Sequence, residues 1–181
     1  AKEVDGVGYA YCREPWNGPG TVKVHILDKN RKPASGELLA KVKEYIWPDL
    51  KPGQVNRGGK APTGIKECTI DTPRIKKITI GGNIVVNSSF ESQGVISKMK
   101  MLINKYFDKL DIDGVISYNM VNSIIGTLMV NDMGVDDYSD ITINGAKNSI
   151  KLNAELASVT GLNIRITQNN QTTTYNVEDS P

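Results

Sequence analysis

Two small α+β units in tandem, with mixed or antiparallel sheets and helices packed on one face, are what this sequence predicts. Three observations carry that expectation. Short runs on both sides of Pro73 read as strands, with period-two alternation over Val22 to Leu27. Between those runs lie segments whose apolar residues recur every three or four positions. Strands and helices interleave, but without the regular βαβ rhythm of a parallel sheet. With 181 residues the chain has room for one medium domain or two small ones. The boundary is expected near Pro73 to Lys77. It gives a first unit over 1–74, a second over 75–168, and a polar, flexible tail over 169–181. No repeat of the solenoid kind is present.

The elements follow in order. "GVGYAYC" (Gly6–Cys12) and "GTVKVHIL" (Gly20–Leu27) read as two strands, and the Pro/Gly-rich link "REPWNGPG" suits a hairpin loop. In the second strand Val22, Val24 and Ile26 alternate with Lys23, His25 and Leu27. That spacing places the valines on the buried face and His25 on the other, exposed or at an interface. A helix is expected from Ser35, which caps its first turn, to Trp47, where Pro48 stops it. Residues 48–64 hold three prolines and four glycines and read as a long loop, followed by a strand near Ile65–Thr72.

In the second unit, strands are expected near Ile75–Ile80 and Asn83–Asn87. Ser88 and Glu91 fit a capping box for the helix behind them. In that helix Ile96, Met99, Leu102, Ile103, Tyr106, Phe107 and Leu110 keep helical spacing without a miss. A further helix is expected over Ser117–Val130. Strands then follow at Asp140–Asn144, Ser149–Leu156 and Leu162–Thr167.

Composition narrows the function classes. Hydrophobic residues make up 39% and charged residues 23%, as in an ordinary folded protein, while aromatics at 6% leave the core to Ile, Val, Leu and Met. A net charge of +2, with Lys and Arg spread along the chain, gives no nucleic-acid footprint. The longest apolar runs fall well short of the ~20 residues that span a bilayer. No signal peptide stands at the start, and an opening at Ala1 instead of Met reads as a processed or excised segment.

Motif tests for chemistry fail one by one. A P-loop counted back from Gly59-Lys60 needs glycine at Gln54 and a hydroxyl at Ala61. An EF-hand frame on "DKLDIDG", with Gly114 at its sixth position, puts Lys109 at the first and Met120 at the twelfth. The lone His25 and the distant cysteines Cys12 and Cys68 provide no zinc set, so both cysteines are expected reduced and part-buried. Cys12 nears His25 only if the hairpin pairs them, and no Gly-x-Ser-x-Gly elbow exists. Nothing selects a catalytic pair among the 20 acids. No catalytic, cofactor-binding or metal-ligating residue is therefore singled out, and no cofactor or small-molecule substrate is expected.

The pattern of the whole chain is more informative than any motif. "VGYAYCREPWNGPGTVKVHILDKNRKPASGELLAKVKEYI", then "KAPTGIKECTI", then "ISKMKMLINKYFDKLDIDGVISYNMVNSIIGTLMVNDMGVDDYSDITING" follow in one order from about Val7 to Ile166. In that order they resemble the baseplate J family of contractile phage tails, in its PBSX-prophage form. The resemblance implies the C-terminal half of a structural wedge component with no catalytic residues. It would sit in the virion tail baseplate, assembled in the bacterial host cytoplasm. Its implied partners are other baseplate wedge and tail proteins, with a homo-oligomer possible in the assembled plate. The loop Pro48–Gly64 and the acidic turn Asn131–Asp140 are the expected contact elements. The rival reading is a surface carbohydrate- or peptide-binding module.

Overall fold

In the computed structural model, which describes residues 1–178, the chain divides into two compact units, the first Ala1–Arg74 and the second from Ile75 onward. The fold is α+β with mixed and antiparallel sheets, as the sequence predicts. Among the described residues, no helix is long and apolar enough to cross a membrane.

The first unit is a three-stranded sheet in the order β1-β2-β3, formed by β1 (Val7–Arg13), β2 (Thr21–Asp28) and β3 (Glu67–Asp71). β1 and β2 form the expected antiparallel hairpin, whereas β3 runs parallel to β2. The helix α1 (Gly36–Ile46) supplies the crossover between them. Its N-cap is Ser35, whose Oγ accepts a hydrogen bond from the Leu38 amide at 3.2 Å. Val22, Val24 and Ile26 of β2 pack with Val42, Leu38 and Leu39 of α1 and with Cys68 of β3. Alternation in β2 thus identified the face that meets the helix.

It did not identify the state of the other face. His25, expected exposed or interfacial, is only 3% exposed. β2 is the central strand, so register sets His25 between Tyr11 on β1 and Asp71 on β3. A two-residue period separates the faces of a strand but does not say which of them water reaches. Cys12, expected part-buried, is exposed, while Cys68 is buried; both are free thiols.

The second unit is built on a four-stranded sheet in the order β6-β4-β8-β9, comprising β4 (Arg74–Val86), β6 (Val135–Ile143), β8 (Glu155–Gln168) and β9 (Gln171–Glu178). The helices α2 (Ser92–Phe107) and α3 (Tyr118–Val130) pack on β8 and β6 and on each other. A separate two-stranded ladder joins β5 (Val115–Ile116) to β7 (Ile150–Lys151). The core is almost wholly aliphatic. Ile78, Ile80, Ile84, Ile141 and Ile164 of the sheet meet Met99, Ile103, Ile125 and Leu128 of the helices. Ser117 caps α3 by accepting from the Met120 amide at 3.3 Å.

Several expectations are corrected here. Ile75–Ile80 and Asn83–Asn87 are one strand, β4, because Gly82 (φ 149°) makes an irregularity in the ladder and not a turn. Ser149–Leu156 is broken instead of continuous, since Ala154 adopts φ 55° between β7 and β8. The capping box does not form: Glu91 is the N-cap of α2 and makes no side-chain cap bond. Asn87 directs that turn, its Oδ1 accepting from the Ser89 amide at 3.0 Å, and Gln168 Nε2 holds the carbonyls of Asn87 and Phe90. The segment 169–181, expected as a flexible tail, forms strand β9 through Glu178, antiparallel to β8; residues 179–181 lie outside the described residues. A polar strand is stable there because its backbone groups are satisfied by an established neighbour, which composition alone does not reveal.

Leu128 lies in the aliphatic core with no exposed surface. Leu128→Ala is expected to destabilise the second unit by about 2–5 kcal/mol. Met101→Ala, on the exposed side of α2, should stay within roughly 0.5 kcal/mol of the parent. Urea denaturation followed by circular dichroism checks both.

Candidate functional site

The loop after α1 is more ordered than its composition suggests. A helix ends with carbonyls that have no partner inside the helix. Here the returning loop supplies two: the amide of Lys60 donates to Tyr45 O at 3.2 Å, and that of Ala61 donates to Ile46 O at 3.0 Å. The approach is so close at Gly59 that a Cβ would stand 2.2 Å from Ile46 O and 2.5 Å from Pro48 Cδ, so only glycine fits. Arg57 locks the outer turn. Its guanidinium lies 4.7 Å over the Trp47 ring, a cation–π contact, and its Nη1 donates to Pro48 O at 3.1 Å.

These contacts border a half-open hollow of about 340 Å³ between the end of α1 and the loop. Its apolar lining includes Ile46, Trp47, Leu50, Val55 and Ile65. Leu50 is 48% exposed and Val55 102% exposed, so two aliphatic side chains project from a fixed loop. The sequence marked this loop by length and glycine content but missed the Trp47–Arg57 pair. A tryptophan directly before a helix-stopping proline, with an arginine in the loop behind it, was the available signal.

The phosphate-loop pattern fails structurally for a stated reason: the amides of Lys60 and Ala61 already cap α1, and no helix begins there. The Asp108–Gly114 stretch is also a joint. The Gly114 amide donates to Asp111 O at 2.8 Å, Gly114 O accepts from Leu152 at 2.9 Å, and Asp113 Oδ1 accepts from the Ala154 amide at 2.9 Å. Among the described residues, no three His, Cys, Asp or Glu side chains gather in a metal-holding arrangement.

The acidic turn Asn131–Asp140, the other expected contact element, is tied into the fold. Asn131 is the C-cap of α3, and the Met133 amide donates to Leu128 O at 2.8 Å. Asp136 Oδ1 accepts from Asn87 Nδ2 at 3.1 Å, and Asp140 Oδ1 pairs with Lys147 at 2.7 Å. The Lys147 hydrogen bond and charge hold the Asp140 carboxyl below its ordinary value.

Cys12 and His25 do not meet as a nucleophile and base. Cys12 is the register partner of Val24, and His25 that of Tyr11, so the two residues belong to opposite faces of the sheet. His25 instead shares a cross-strand row with Tyr11 and Asp71. Lys23 pairs with Asp71 at 2.7 Å and lies 4.7 Å over the Trp16 ring. Burial pushes the Asp71 carboxyl up. The Lys23 hydrogen bond, the Thr72 amide and the charges of Lys23 and His25 outweigh it, and the net direction is down. Burial raises both thiols, Cys68 further through Cys12 and Cys12 through Glu14.

Residues 1–72 match the family profile described as the Baseplate J-like central domain. The chain is 36% identical over 153 residues to "Phage-like element PBSX protein XkdT" of Bacillus subtilis (strain 168), which covers 84% of this chain and 41% of that protein. It is 37% identical over 157 residues to "Uncharacterized protein YqbT" of the same organism, covering 85% of this chain and 42% of the relative. The resemblance read from the sequence is borne out. The chain spans about two fifths of the length of these curated relatives.

Two outcomes follow from the geometry. Gly59→Ala is expected to displace the loop and to cost about 1–3 kcal/mol, with altered Trp47 fluorescence as the sign that the loop has moved. Asp71 has a folded-state pKa below its ordinary 3.8, so its stabilisation is present above that value and is lost as pH falls through the lowered one. Thermal unfolding from about pH 5 down to pH 2 should therefore show a steeper loss in the parent than in Asp71→Asn.

Proposed function

We propose, from the match of residues 1–72 to the Baseplate J-like central domain, that the chain serves as a structural wedge component of a phage or prophage contractile-tail baseplate. It acts there by protein–protein assembly with other wedge and tail proteins, without catalysis, and is assembled in the host cytoplasm. The family match over the first unit is the observation that carries the reading. The fixed loop over residues 48–64 supports it, since a rigid face presenting apolar side chains is the kind of surface a partner covers. In a baseplate that changes arrangement, such a face would contribute by meeting its partner better in one arrangement than in the other. Copies of the chain would join in the assembled plate.

The second reading, a surface carbohydrate- or peptide-binding module, draws on one feature of the second unit. A polar hollow of about 310 Å³ on the sheet is lined by Asn83, Asp140, Asn163, Arg165 and Thr174, around Gly82. Hydrogen-bonding groups of this kind suit hydroxylated or amide ligands.

Deleting the gene in a host that produces contractile tails separates the two readings. The baseplate role predicts that the chain copurifies with tails from the parent strain. It also predicts that tails from the deletion strain lack complete baseplates in electron micrographs. Normal tails in the deletion strain, together with cell-wall binding by the isolated chain, would favour the binding module.

A further inference from the structure

We propose that the cavity between α1 and the loop receives an acidic segment of a partner protein, anchored by one bulky apolar side chain. This inference rests on the baseplate reading and gives the chemistry of one partner at one site.

Charge is the first argument. Between Pro48 and Lys66 the chain carries Lys51, Arg57, Lys60 and Lys66 against a single acid, Asp49. Asp49 is already paired with Lys43 at 2.8 Å. The Lys43 hydrogen bond and charge, and beyond them the Arg57 charge, hold its carboxyl below the ordinary value. Among the described residues Lys51, Lys60 and Lys66 form no ion pair, and all three are exposed. They adjoin in sequence the lining residues Leu50, Gly59, Ala61 and Ile65. Arg57 itself lines the cavity and Lys51 and Lys60 flank its lining residues in the chain, so complementary negative charge on a partner would both steer and orient it.

Shape is the second argument. The cavity, at about 340 Å³, lies at the small end of the roughly 300–1,000 Å³ range of ligand pockets. An aliphatic or aromatic side chain matches its apolar walls. Leu50 and Val55 stand ready to be covered at its edge, where an anchor in a desolvated pocket contributes most. A nucleic acid is the poorer occupant despite the basic rim. Base stacking needs an open aromatic face, and Arg57 already covers a face of Trp47. The loop's return is anchored by the bonds of Lys60 and Ala61 to Tyr45 and Ile46, and Arg57 ties its outer turn to Trp47 and Pro48, which lowers what binding must order.

The test has two arms. In the first, the chain is titrated with a twelve-residue peptide of Asp, Glu and Ser around a central Trp-Leu pair. One comparison peptide has Ala-Ala at the centre, and another has Lys in place of every acid. The anchored acidic peptide is expected to bind, to shift the Trp47 indole resonance, and to weaken with added salt. Loss of the anchor should weaken it by about tenfold, and K51E together with K60E should do so by a similar factor. Circular dichroism checks that this double variant, at two exposed positions, is folded. Equal binding of the anchored and Ala-Ala peptides, equal binding of the Lys peptide, or no binding of any peptide overturns the proposal.

In the second arm, a photo-crosslinking amino acid replaces the fully exposed Val55 in assembled tails. The segment it captures is expected to be acidic around a bulky apolar residue. A basic segment, an anchorless one or no crosslink in tails that contain the chain rejects the inference and leaves the baseplate role intact. If the chain is absent from purified tails, the baseplate reading itself fails, and the proposal of a tail partner fails with it.

Discussion

Both units depend on one requirement: a sheet face made of valine and isoleucine has to be roofed by a helix. Aromatic residues are scarce, so the core cannot be filled by a few large rings. It is filled by many β-branched side chains, which favour strands and pack well on a pleated surface. In the second unit two helices meet that requirement, and Ile80, Ile141 and Ile164 are closed over by Met99, Ile103 and Leu128. The first unit has only α1, eleven residues long and so about 16 Å in length. Beyond its last turn the cover is supplied by a loop, and it is incomplete there.

That shortfall turns the loop into a feature with a fixed shape. The carbonyls of Tyr45 and Ile46 need donors, and the amides of Lys60 and Ala61 provide them. The return path is then close enough to exclude a Cβ at Gly59. Arg57, covering the Trp47 ring and bonded to Pro48 O, keeps the outer turn from collapsing onto the helix end. A cavity results with Leu50 and Val55 left at its edge. The same local bonds that complete the helix thus leave an apolar surface uncovered.

The sequence disclosed what local patterns govern. Helical spacing located α2 and α3, Ser35 marked the start of α1, and the alternation of Val22, Val24 and Ile26 identified the face under that helix. It failed where a long-range neighbour decides the outcome. His25 is buried because β1 and β3 flank its strand, and β9 forms from a polar segment because β8 offers a ladder. Ser88 and Glu91 had the spacing of a capping box, but Asn87 and Gln168, the latter distant in sequence, organise that turn. For the candidate site, glycine and proline content marked the loop. The stacking of Arg57 on Trp47 joins residues ten apart through a turn whose path no periodicity predicts.

The two expected contact elements therefore separate on a physical criterion. In the acidic turn, Asp136 and Asp140 have partners in Asn87 and Lys147, so a docking partner would have to compete with bonds already made. In the loop the situation is reversed. Its return is tied to the end of α1 through Lys60 and Ala61, its one acid is paired, and two lysines and two aliphatic side chains face water. Ordering a flexible segment on binding subtracts from the free energy of association, whereas a preformed surface keeps most of what its contacts supply. A structural component that must hold one arrangement and then release it benefits from that economy. In the proposed baseplate role, small differences in fit between arrangements would translate more directly into a preference, because less of the difference would be absorbed by ordering the loop.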